Sequence, residues 1–206
     1  KEVLLLLSQH VQAQLLSKLD NEEILPILEH LDPDDTTDLL QTLSKKRQKV
    51  LLELLSDDLQ SKVSLLLEFD PKTAAGVMSL NYILVKEEST IGEVAEQMEI
   101  HERRTGKLPV VVVLKEQTVI GFLPGHRLAF ARPTHSVQEY TKKISVVKHT
   151  AKYNDILDHF SEHPHSKVVV LGENKNVLGV IYADDVLRLV HEHESASLYD
   201  FAGVSD

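Results

Sequence analysis

"VVVVLKEQTVIGFLPGHRLAF", residues 110–130, and "VVVLGENKNVLGVIYADDVLRL", beginning at Val168, settle the architecture of this chain, because they read as two copies of one pattern. At a constant offset of 58 residues, 110–113 fall on 168–171, and Val119, Ile120 and Gly121 fall on Val177, Leu178 and Gly179, with no gap required. The upstream segments "ILVKEESTIGEVAEQM" and "ISVVKHTAKYNDILDHF" match at an offset of 62, with Met98 over Phe160. The first copy should therefore carry four extra residues, within "EIHERRTGKLP". Each copy reads as strand, helix, buried strand, turn, strand, helix. A unit of about 50 to 60 residues buries little core by itself, so the two are expected to pack together across their sheets.

Toward the N-terminus the pattern changes near Leu80. From Val3 to Met78 apolar residues recur three and four apart, with no alternating Val/Ile run, which predicts helices. The helices should be short. Breaks fall at "KLDNEEIL", "HLDPDDTT", "TLSKKRQK", "LLSDDLQS" and "EFDPKTAA", each offering an Asp or Ser as N-cap. Two of them, Asp32-Pro33 and Asp70-Pro71, place proline at a first helical position, where its missing N–H costs nothing. These two lie 38 residues apart and suggest a repeated helix pair, a superhelical stack of short helices. Acids in a first turn, among them Asp34 and Asp35, are stabilised by the helix dipole whatever else they do. The basic run "SKKRQK", 44–49, reads as a solvated helix face.

Composition sets further bounds. With 42% hydrophobic residues the chain is too apolar to be disordered, and its formal charge of −10 lacks the basic stripe that a nucleic-acid surface needs. Cations or basic partners suit it better. The absence of Cys excludes disulfides, zinc–thiolate sites and cysteine nucleophiles. The longest apolar runs are far shorter than the 18 or so residues that span a bilayer. The start at Lys1, without an initiator methionine or signal-like segment, reads as a piece of something longer. Gly-rich phosphate loops, HExxH and nucleophile elbows are missing, so no enzyme is expected.

The duplicated unit resembles the cystathionine-β-synthase (CBS) domain over residues 81–194, on the β-α-β-β-α order and the Gly-x-aliphatic-x-x-x-Asp turn at 179–185. The whole chain is similar to the cytosolic region of MgtE-family magnesium transporters. A Leu-rich helical stack runs into "DPKTAAGVMS", then the tandem CBS pair, then "ADDVLRLVHEHESASLYDFAGVSD". Thr73, Ala74 and Met78 keep their places in the family's entry motif, with Ala75 replacing its Gly. Asp184-Asp185-Val186 and Tyr199, Ala202, Gly203 and Val204 match the family's segment after the second CBS domain. The expected architecture is thus α plus α/β: a helical N domain (1–79), CBS domain 1 (80–143), CBS domain 2 (144–194), and the start of a connecting plug helix (195–206).

The resemblance implies a homodimer on the cytoplasmic side of the cell membrane, joined to its own transmembrane domain. It would sense intracellular Mg2+ and close the pore when bound cations pull acidic faces together. The metal candidates are Asp184, Asp185, Glu192, Glu194, Asp34 and Asp35. The alternative is a module that senses an adenine nucleotide, ATP or AMP, with Asp185 on the ribose, Tyr182 where nucleotide binders carry Thr or Ser, and Val168 in the cleft. The first copy has Arg127 and Pro124 at the equivalent positions, so its cleft lacks the marker. Where relatives carry a continuous acidic run this chain has His191-Glu192-His193-Glu194-Ser195-Ala196-Ser197. Imidazole suits zinc, copper or nickel, but His191 and His193 diverge on a helix and cannot chelate one ion together. Asp184, Arg188 and Glu192, four apart, read as an ion-pair ladder.

Overall fold

A computed structural model describes residues 2–5, 7–163, 166–183 and 186. The chain forms two compact units, Lys1–Pro71 and Lys72–Ala183.

The first unit is helical throughout its described residues: α1 (Glu2–Leu5), α2 (Gln9–Lys18), α3 (Asn21–Glu29), α4 (Pro33–Gln41), α5 (Lys45–Leu54) and α6 (Asp57–Leu67). Four of the five expected breaks are helix starts, with N-caps Asp20, Asp32, Ser44 and Ser56. Asp20 makes a full capping box: its carboxylate accepts from the Glu23 N–H while the Glu23 side chain accepts from the Asp20 N–H. Leu16, Ile24, Leu28, Leu39, Leu40, Leu51 and Val63 close the core, none more than 1% exposed. Arg47 ties three helices together, donating to the Leu16 carbonyl (2.8 Å), the Asn21 Oδ1 (2.9 Å) and the Leu19 carbonyl. It thereby occupies carbonyls that the end of α2 leaves without helical partners.

The fifth break corrects the sequence reading. Asp70-Pro71 opens no helix, so the 38-residue spacing is not a repeated helix start. The backbone at 72–76 is claimed by the second unit instead. Ala74 N–H donates to the Ala151 carbonyl, Ala75 N–H to the His149 carbonyl, and Tyr153 N–H to the Lys72 carbonyl. Residues 72–79, expected with the helices, thus fold in the second unit.

That unit contains two three-stranded sheets of the same design. In the first, β1 (Tyr82–Lys86) runs parallel to β2 (Val110–Lys115) through the crossover helix α7 (Ile91–Thr105), and β2 turns back into antiparallel β3 (Thr118–Leu123). In the second, β4 (Ser145–Lys148), α9 (Tyr153–Glu162), β5 (Lys167–Leu171) and β6 (Val177–Tyr182) repeat the arrangement. A short α8 (Gly125–Leu128) follows β3. Alternation along β2 sends Val111 and Val113 toward Val94 and Met98 of α7, and Val110 and Val112 toward Val169 and Val180 of the other sheet.

The pairing also corrects the offset. Val113 pairs with Gly121 and Val170 with Gly179, each just before a register shift, so β2 maps on β5 at 57 residues and β3 on β6 at 58. The odd residue lies in the turns. Glu116 and Gln117, both at positive φ, make a two-residue loop, whereas Glu173, Asn174 and Lys175 make a three-residue one with Lys175 left-handed. Because side chains alternate faces, the gapless alignment would have turned β5 inside out. The first copy's excess before β2 is then five residues, matching α7 with 15 residues against α9 with 10.

Candidate functional site

The two copies exchange their entry segments. Ser79, ahead of β1, makes an antiparallel bridge to Val180 of β6, and Lys142, ahead of β4, makes one to Phe122 of β3. Both crossings pass over a glycine. A Cβ on Gly121 would stand 2.2 Å from the Lys142 carbonyl oxygen, and one on Gly179 would stand 2.7 Å from Met78 Cγ and 2.9 Å from the Ser79 oxygen. The motif residues Met78 and Gly179 are therefore two halves of one contact, with Met78 only 1% exposed.

Polar side chains cluster where the copies meet. The Tyr182 hydroxyl donates to the Asn81 carbonyl (2.9 Å), and the Tyr82 hydroxyl to the Val177 carbonyl (3.2 Å). Burial pushes the Tyr82 phenol above its ordinary value. Asn81 also binds the ring of the buried His101 (2.7 Å) and donates to the Leu108 carbonyl. Lys167 holds its ammonium 5.7 Å from the Tyr182 ring and 5.9 Å from that of Phe122, within cation–π range. Neither Asn81 nor Lys167 was legible as a site residue, since nothing in their local sequence marks them.

Two further residues gain meaning only from register. Leu84 pairs with Val112 and Val146 with Val169, on the faces that the sheets turn toward each other. Yet Leu84 is 42% and Val146 48% exposed. Each copy thus offers one apolar wall to solvent on its edge strand.

Of the expected nucleotide residues, Tyr182 stands in the polar cluster and Val168 is 1% exposed within β5; Asp185 lies outside the described residues. In the first copy Pro124 caps α8, and Arg127 donates to the Tyr140 carbonyl. Of the expected metal ligands, Asp34 and Asp35 occupy the first turn of α4, Asp35 being 8% exposed. Asp184, Glu192 and Glu194, with the ion-pair ladder and the His191–Ser197 run, lie outside the described residues. Among the described residues no three of His, Asp and Glu gather as a ready metal site, and no helix is long and apolar enough to cross a membrane.

A helical stack joined to two β-α-β-β units with exchanged entry segments defines a tandem CBS-domain protein with a helical N domain. The CBS-domain profile matches residues 74–131 and 137–192, and that of the MgtE intracellular N domain matches 1–72. The chain belongs to the MgtE family, as a cytosolic region of a magnesium transporter. Among solved structures it resembles the cytosolic domain of the Mg2+ channel MgtE in complex with ATP, at 26% identity and a TM-score of 0.81, covering 91% of this chain and 78% of that one. It also shares the fold of the soluble part of a magnesium transporter, at 17% identity and a TM-score of 0.76, covering 88% and 72%. No curated protein sequence matches it.

Proposed function

We propose that this chain senses intracellular Mg2+ for a transporter and closes its pore by cation-bridged compaction, in a regulatory rather than catalytic role. The observation that carries this reading is family membership on a chain with a net charge of −10. Carboxylates about 4 Å apart repel by roughly 1 kcal/mol in water and several times that near a protein surface, so uncompensated acidic faces drive domains apart. Magnesium is held by one or two carboxylates plus retained waters. Asp34 and Asp35, in the first turn of α4, are candidates as single-carboxylate donors, and Asp184, Asp185, Glu192 and Glu194 are the further candidates. Higher Mg2+ favours the compact state because that state binds it better. The working unit is a homodimer beneath its own transmembrane domain.

The test is solution scattering and limited proteolysis of the chain with and without millimolar Mg2+. Compaction and protection around residues 68–80 are expected. Indifference to Mg2+, Ca2+ and Mn2+ alike refutes the reading.

Adenine-nucleotide sensing is the second reading, favoured by the exposed apolar walls Leu84 and Val146 and by the ATP complex of the similar structure. ATP or AMP should raise the melting temperature, and Asp185→Ala should abolish the rise.

A further inference from the structure

The basic run 44–49 divides once folded. Arg47 turns inward to its three partners, while Lys45 and Lys49, one helical turn apart on α5, stand at an open cavity of about 490 Å3 on the surface of the helical unit. Leu52, on the same face of α5, together with Leu67 and Phe69 supplies apolar wall. Gln48 lies between these two surfaces. It is 6% exposed, yet its side-chain amide hydrogen-bonds to no described residue, and it lines the cavity. Its place is informative: positions 48, 51, 52 and 55 form the stripe that α5 turns inward, and Leu fills the other three. A leucine at 48 would extend the core, whereas the amide keeps a polar edge on the cavity, where its N and O atoms remain open to whatever the cavity holds.

We propose that this cavity binds a small organic anion, with its carboxylate or phosphate at Lys45 and Lys49, a polar atom on the Gln48 amide, and an apolar body against Leu52, Leu67 and Phe69. The volume lies in the range of small-molecule sites, which pair apolar walls with a few convergent polar groups. The two ammonium groups supply attraction that the chain's overall charge of −10 opposes elsewhere.

The experiment is a titration of the full chain, followed by NMR of backbone amides and the Gln48 side-chain amide, using hexanoate, 1-hexanol and inorganic phosphate as probes. Hexanoate should give saturable shifts at Gln48 and along α5 in the millimolar range, binding more tightly than either other probe. Lys45→Gln/Lys49→Gln changes exposed side chains only and should weaken hexanoate about tenfold; Gln48→Leu should weaken it while leaving the fold intact. No saturable shift with hexanoate overturns the proposal. So does equal binding of hexanol, which would make the cavity an apolar crease, equal binding of phosphate, which would leave the wall without a role, or undiminished hexanoate binding in the double variant.

Discussion

Gly121 illustrates how one residue can be constrained by a strand entry that lies about twenty positions further along the chain. The Lys142 carbonyl lies where a Cβ would go, and being backbone it cannot swing aside. Gly121→Ala should therefore destabilise the second unit by about 1–3 kcal/mol, the usual penalty for overpacking, read as a lower urea midpoint. Gly179→Ala should also destabilise, because the buried Met78 side chain and the Ser79 carbonyl oxygen both stand within 3.0 Å of the new Cβ, but less than Gly121→Ala, where backbone oxygen stands at 2.2 Å. Tyr82 makes a pH-dependent prediction. A phenol whose folded value is raised by burial keeps its proton after the unfolded chain has lost its own, so this contribution is complete below about pH 10 and declines as pH rises toward the folded value. Tyr82→Phe should flatten that alkaline decline and, by losing the bond to the Val177 carbonyl, cost about 1 kcal/mol at neutral pH.

Among the elements, local sequence is a sufficient guide wherever a cap decides the boundary. Asp20 and Ser44 were readable as caps because a cap acts on amides within three residues of itself, and their side chains accept from the Glu23 and Arg47 N–H; Asp32 and Ser56 hold N-cap positions without a side-chain cap bond, Asp32 with Pro33 at the first helical position. Asp70-Pro71 has the same local signature and fails, because the following backbone finds better partners in Ala151 and His149. The turn at Glu116-Gln117 holds two non-glycine residues at positive φ, each at a cost of about 1 kcal/mol. Glu116→Asn/Gln117→Gly should thus stabilise the hairpin by about 1 kcal/mol, visible as a higher melting temperature. Arg47 binds α2, α3 and α5 through a fork that lysine cannot reproduce. Arg47→Met should cost the helical unit about 2–3 kcal/mol by stranding the Leu16 and Leu19 carbonyls, and Arg47→Lys should recover little of it.

For the molecule as a whole, the cation reading predicts that Asp34→Asn/Asp35→Asn shifts the Mg2+ midpoint of compaction upward without altering the compact end state, as followed by radius of gyration. The helical stack, the duplicated β-α-β-β unit and the family membership that both imply were all legible in the amino-acid order, because periodicity, capping and repetition are local or self-referential signals. Tyr182, Asp34 and Asp35 were named as site residues there too, by resemblance. Tertiary contacts alone reveal that β5 lies one residue out of the gapless alignment, that Met78 seats on Gly179, that Leu84 and Val146 remain exposed, and that Gln48 faces a cavity. Each of these depends on which distant backbone arrives at a given strand or helix, and a change of one residue in a hairpin loop reverses the answer for every side chain beyond it.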